Sequence, residues 1–386
     1  MACFVRLRAG MEVRVRNAFG RELGTAAVTV LLLAFCAPVR AQQYLWADAF
    51  GSSTATTSSA GVAVDGQGDV VIGGSFSGSV DFGKGTTRAS GGPDGFVAEY
   101  SGVGGQAQWF VDIGGAGAIT NVNAVAADSA GGVYVAGSFT SAVSFPGGSL
   151  TSAGSSDAFL MKFDANGAYV WSVKIGGTGA DAAYGVDVDV NGNVVLTGYF
   201  SGTADFGGTR LVSSSASGFV AKYSPGGQYL WGKALGGSGW AVGTSISATV
   251  NGQIAVTGRF LSSVDFGGVT LSSAGGTDIF LAMYDTNGTH QWSRALGAAG
   301  SDNGTGVATD GSGNPVITGT FYNNVDFGSG QQLPGASDRA SIFVAKYTAG
   351  GPTSGRSHLL TSPRRFGIRP TRLPTASPLT AAGILR

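Results

Sequence analysis

The chain is poor in charge, histidine and cysteine. Only 12% of its 386 residues are charged, 2 are His and 2 are Cys. So few nitrogen and sulfur ligands argue against a His/Cys metal centre. His290 falls on a predicted strand and His358 in the C-terminal tail, so no Ser-His-Asp set is in view. Both Cys lie before residue 37, which leaves no Cys nucleophile in the rest of the chain. Glutamate is nearly absent too. Between residues 42 and 347, 20 of the 21 acidic residues are Asp and only Glu99 is Glu. Asp favours turns and Glu favours helices, so long helices are not expected and the acids read as turn residues. What is abundant is glycine, at 67 residues, without the Gly-X-Y period of collagen. A hydrophobic content of 43% is too high for a disordered chain. The composition suits many short strands joined by tight turns.

The net charge of zero conceals three regions. Residues 1–41 carry six Arg and two Glu, residues 42–347 carry 11 basic and 21 acidic residues, and residues 348–386 carry six Arg and no acid. A middle segment of net charge −10 repels polyanions, so no nucleic-acid partner is expected. The N-terminus has the pattern of an export signal. Arg6, Arg8, Arg14, Arg16 and Arg21 precede the apolar run 25–37, and Val39-Arg40-Ala41 offers a cleavage site before Gln42. The run is too short to span a bilayer comfortably, so no membrane span is expected after cleavage. The expected location is therefore secreted, periplasmic or cell surface, with Met1 or Met11 as the start.

A repeat of about 60 residues organises the middle segment. Trp46, Trp109, Trp171, Trp231 and Trp292 recur at spacings of 63, 62, 60 and 61. In register with them run Phe96–Tyr100, Phe159–Phe163, Phe219–Tyr223, Phe280–Tyr284 and Phe343–Tyr347. A third series is Asp81-Phe82, Ser144-Phe145, Asp205-Phe206, Asp265-Phe266 and Asp326-Phe327. Each unit reads as two hairpins, four strands in all. The spacing predicts an all-β fold, a β-propeller of four-stranded antiparallel blades, five in number. The first strand, rich in small residues, is placed innermost. Gln43–Phe50 resembles Gln228–Leu235 but stands alone, and the fifth copy stops at Tyr347. The N-terminal strand is therefore expected to complete the last blade and close the ring.

The motifs Gly192-Asn-Val-Val-Leu-Thr-Gly-Tyr-Phe200, Asp-Phe-Gly-Gly and Phe-Val-Ala-Lys-Tyr resemble those of secreted bacterial β-propeller repeat proteins, a family often described as seven-bladed. The resemblance covers roughly residues 44–347. It implies an exported or cell-surface protein and brings no catalytic residues with it. The second copy departs from the pattern at Ser144-Phe145-Pro146. The organisation expected is a signal peptide at 1–41, a propeller at 42–347 and a disordered Arg/Pro-rich tail at 348–386. A shifted reading frame or a basic tail that binds an acidic surface would each leave such a tail.

Candidate sites are the residues that break the repeat. Trp240 is the only Trp outside the register, and Arg259 stands where other copies have Ser75, Ser138, Tyr199 and Thr320. Asp181, Tyr184, Asp302 and Tyr322 complete the expected ligand-binding set. Asp187-Val-Asp189-Val-Asn191-Gly192 begins like a Ca²⁺ loop, but position twelve is Gly198 where a bidentate Glu is needed. A hairpin turn is the expected reading there, with weak Ca²⁺ binding at Asp-containing turns left open. Otherwise no metal, cofactor or catalytic residue is expected. Glu99, at the place of Lys162, Lys222 and Lys346, reads as part of a solvated strand face. His290, where Tyr169 and Tyr229 stand in other copies, reads as a packing or surface residue. The function expected is that of a non-catalytic binding or scaffold protein recognising a glycan or cell-envelope protein through a loop face. The alternatives are a propeller carbohydrate-active hydrolase or lyase using Asp residues, and a purely structural surface protein.

Overall fold

The computed structural model describes residues 44–351, and every regular element among them is a β-strand. The expected signal peptide, and the tail from residue 352 on, lie outside the described residues. No helix among the described residues is long and apolar enough to cross a membrane.

Five blades follow one another in the chain. Blade 1 orders Thr56–Val64, Val70–Ser77, Asp94–Tyr100 and Ala107–Ile113 in one antiparallel sheet. Blade 2 uses Thr120–Ala127, Val133–Phe139, Asp157–Phe163 and Tyr169–Gly177 in the same order. Blade 3 uses Ala182–Val188, Val194–Phe200, Ser217–Tyr223 and Tyr229–Leu235, and blade 4 uses Trp240–Ala248, Ile254–Leu261, Asp278–Tyr284 and His290–Leu296. Blade 5 has three strands, Asn303–Thr309, Pro315–Phe321 and Ser341–Lys346. First strands of successive blades touch one another, as their small residues predict.

Each turn between the first two strands is held by one side chain. Asp189 Oδ1 accepts from the amides of Asn191 and Asn193, both at 2.9 Å, and Asp65, Asp128 and Asp310 do the same. Part of the Asp-rich composition is thus spent on turns, as read from the sequence. The Asp-Phe series forms a small extra hairpin, and the Tyr of Phe-Val-Ala-Lys-Tyr locks it. The hydroxyls of Tyr100, Tyr223, Tyr284 and Tyr347 donate to the carbonyls of Phe82, Phe206, Phe266 and Phe327 at 2.9–3.0 Å. That bond explains why two separate series keep one register. Blade 2 departs in both at once: Phe163 lacks the hydroxyl, and Ser144-Phe145-Pro146 replaces the hairpin motif.

Blades stack through recurring apolar positions. Val97 and Val125, Leu160 and Val186, Val220 and Ile246, and Leu281 and Val307 each fall in the core cluster of one junction. The repeated Trp adds a second lock. The indole Nε1 of Trp171, Trp231 and Trp292 donates to a carbonyl in the following blade's turn, or in the last case the turn after Ser341–Lys346, at 2.8–3.1 Å.

Ring closure differs from the sequence expectation. Residues 44–50 form no strand, and the last sheet stays three-stranded. Val62, the counterpart of Val125, is 68% exposed rather than 8%, and Val344, the counterpart of Leu281, is 74% exposed rather than 0%. Val62 and Val344 on the first and last faces are thus open to solvent, and no fifth junction is made among the described residues. The docking of the N-terminal segment is nonetheless half realised. Phe50 packs on Phe82 and Tyr100, with centroids 5.6 and 5.2 Å apart, and Ser52 Oγ donates to Ser79 O. This matches how Ile113 sits on blade 2 beside Val143. The segment has docked on the blade it precedes, without pairing with the blade it should complete.

Candidate functional site

Every first strand carries a β-bulge, which leaves one residue unpaired: Ala60, Asn123, Tyr184, Thr244 and Thr305. Two of these side chains link neighbouring blades. Asn123 Nδ2 donates to Ala183 O at 2.8 Å, and Thr244 Oγ1 donates to Gly304 O at 2.6 Å. In blade 3 the bulge residue is Tyr184, whose ring is partly exposed and stacks on Tyr199 at 5.9 Å and 24°. One blade further on, Arg259 occupies the register position of Tyr199. Its guanidinium carbon lies 5.5 Å from the centre of the Trp240 ring, within cation–π range. Arg259 is also near enough to act on Tyr184: burial raises the phenol's titration and the Arg charge opposes that rise. Burial likewise raises Tyr199, with Tyr184 and Asp181 adding to it.

Tyr184 and Tyr199 on blade 3 and Trp240 and Arg259 on blade 4 therefore form two aromatic and cationic pairs, coupled through the charge of Arg259 acting on Tyr184. Trp240 opens the first strand of blade 4, opposite Leu261, rather than sitting in a loop as the sequence suggested. Tyr199 was not singled out, although its position as the bulky counterpart of Arg259 was visible. In the other blades that position holds Ser75, Ser138 and Thr320, so these pairs occur at one junction.

Asp181 and Asp302 have a different role. Both are wholly buried. Asp181 accepts from the amides of Gly177 at 2.9 Å and Ser201 at 3.1 Å, and Asp302 from those of Ala298 at 2.9 Å and Tyr322 at 2.7 Å. They staple chain segments together and present no carboxylate to a ligand outside. Tyr322 is half-buried and tied to the Asp302 staple through its own amide. Asp187 Oδ2 accepts from Ala248 N in the next blade at 2.8 Å, and Asp189 is engaged by its turn and by Lys222. Among the described residues, no cluster of three or more His, Cys, Asp or Glu could hold a metal ion. His290 packs its ring against Tyr284 at 5.8 Å, with burial lowering its titration. A depression of about 260 Å³, lined by residues that include Ser213, Ser214, Ser217, Gly237 and Asp265, has none of these aromatic side chains in its lining.

The solvated strand face expected at Glu99 is corrected. Glu99 is buried and accepts from Trp109 Nε1 at 3.0 Å. Burial pushes its carboxyl up to about 7, only partly offset by the indole donor, with Asp65 and Asp69 raising it further. The fold thus holds a proton that the unfolded chain gives up near 4.5. Stability should fall as pH rises from that value to about 7, then level off. Glu99→Gln keeps an acceptor for Trp109 and removes the charge. Its thermal midpoint should match the parent near pH 4.5 and exceed it increasingly toward pH 7.5, as read by melts across that range. A constant difference would exclude Glu99 as the cause.

Stacked antiparallel blades with a repeated hairpin lock define a β-propeller fold. Consistent with that class, residues 108–138 match the family model described as "Beta-propeller repeat". Part of the chain is 28% identical to an uncharacterized WD repeat-containing protein of Acanthamoeba polyphaga mimivirus, covering 39% of this chain and 12% of the relative. Part is 26% identical to Regulatory protein FlaEY of Caulobacter vibrioides, covering 44% of this chain and 18% of the relative. The chain thus spans less than a fifth of either relative. Among solved structures, one of a Bacteroides caccae protein of unknown function is 12% identical, with a TM-score of 0.27, covering 62% of this chain and 82% of that one. A quinohemoprotein alcohol dehydrogenase from Pseudomonas putida is also 12% identical, with a TM-score of 0.30, covering 77% of this chain and 60% of that one.

Proposed function

We propose that this protein is an exported, non-catalytic binding module whose ligand, a glycan or a cell-envelope protein, is gripped by Trp240, Arg259, Tyr184 and Tyr199. The observation that carries the proposal is the cation–π and stacked-ring pairs at one inter-blade junction, in a fold whose other junctions carry small residues there. Aromatic faces can stack on sugar rings or apolar side chains, and Arg supplies fixed donors. Such rings and Arg dominate binding energies at interfaces. Export rests on the N-terminal Arg-rich and apolar pattern. The commitment of Asp181, Asp187, Asp189 and Asp302 to protein hydrogen bonds supports binding over Asp-based hydrolysis.

Glycan-array binding, followed by titration of the best ligand, tests this. Trp240→Ala and Arg259→Ala should each weaken binding by about tenfold or more, with the thermal midpoint little changed. Unaltered affinity in both variants would refute the site. Release of reducing sugar by the parent protein would refute the non-catalytic reading.

A further inference from the structure

We infer that two copies of this chain associate head to tail, the open face of blade 5 in one copy stacking on the open face of blade 1 in the other. The two uncovered faces are not arbitrary apolar patches. Val62 and Val64 are 68% and 61% exposed on blade 1, and Ile342 and Val344 are 85% and 74% exposed on blade 5. Val62 is the counterpart of Val125, Val186, Ile246 and Val307, and Val344 is the counterpart of Val97, Leu160, Val220 and Leu281. Those eight residues make the four junctions within the chain. The two end faces are therefore the two halves of a junction this fold already makes four times. Each fits the other and not itself, which makes the contact heterologous.

A second feature points to the same occupant. Phe50 and Ser52 already rest on the blade 1 hairpin, where the outer strand of a preceding blade belongs. Among the described residues blade 5 has no such outer strand, so no described strand pairs with the outer edge of Ser341–Lys346. An arriving blade 5 would meet the segment Ala47–Phe50 at its bare edge and gain its fourth strand from the other copy.

Analytical ultracentrifugation of the full chain tests the inference. The parent should sediment as a concentration-dependent dimer or longer head-to-tail assembly at about 50 μM. Val62→Asp and Val344→Asp should each be monomeric alone. Mixed in equal amounts, they should form a 1:1 dimer and stop there, because each keeps one intact face. Both positions are exposed, so the variants should fold, as circular dichroism would show. Val64→Asp and Ile342→Asp replace either one that does not. A monomeric parent at every concentration would overturn the inference. So would self-association of Val62→Asp alone, which would mean that like faces pair, and so would a mixture that stays monomeric.

Discussion

Lys222→Met should cost about 3–5 kcal/mol of folding stability, because it strands a buried carboxylate. The Lys222 and Asp189 side chains are 3% and 0% exposed, and they meet at 2.8 Å. The ammonium also donates to Thr286 O at 3.1 Å and Thr286 Oγ1 at 2.9 Å, so one cation ties the third strand of blade 3 to its own turn and to blade 4. Burial alone would raise Asp189, but Lys222, Asn193 and Asn191 outweigh it and hold the carboxyl below its ordinary value. A lowered folded value means that the contribution is present at neutral pH and fades as pH falls through the carboxylate range. The deficit of the variant should therefore be largest near neutrality and shrink in acid. Adding Asp189→Asn, which removes the charge and keeps the turn acceptor, should recover most of the loss. Urea titrations of the single and double variants read this directly. An additive double variant would show that the ion pair is not the cause. The equivalent Lys346 pairs with Asp310 in the open, with side chains 56% and 31% exposed, so Lys346→Met should hardly move the melt.

The other large effect is expected at Gly227. Its φ is +80°, a conformation costly for any residue with a Cβ, and an added Cβ would lie 2.7 Å from Trp171 Cδ2. Gly167, Gly288 and Gly351 seat Trp109, Trp231 and Trp292 in the same way. Gly227→Ala therefore strains the turn and pushes the indole off the neighbouring blade. It should destabilise by roughly 2–4 kcal/mol, the sum of a left-handed penalty and an overpacked contact. Trp171→Ala in the same chain should relieve the clash, so the two changes together should cost less than their sum. Strict additivity in thermal melts would contradict the Trp–Gly lock.

The repeat, the strand order and the innermost strand could all be read from the sequence, because inter-blade contacts are made by residues recurring every 60 or so positions. The positions of Phe163 and Ser144 even marked the one blade where the hairpin lock is missing. Closure was less legible. Gln43–Phe50 has the composition of an outer strand, but composition does not say which sheet it joins, and Phe50 found the aromatic seat at Phe82. The face occupied by Glu99 and Lys222 was misread because alternation alone cannot tell a solvated face from one covered by the next blade. Trp240, Arg259 and Tyr184 stood out as breaks in a repeat, and the structure gathers them. Asp181 and Asp302 stood out in the blade-joining segments but turned out to be staples at one repeat position of blades 3 and 5, since a polar residue there can serve the backbone as well as a ligand.

The central claim is that each blade buries the face of its neighbour, with the last face left bare in the single chain. Thiol labelling at two equivalent positions tests it most directly, in a background with Cys3→Ser and Cys36→Ser. Leu281→Cys sits within a junction and Val344→Cys on the open face. At nanomolar concentration, where copies are apart, Val344→Cys should react at the rate of a free thiol and Leu281→Cys about a thousandfold more slowly. Equal protection at the two positions would mean that the fifth junction is closed within one chain, and the account would fail.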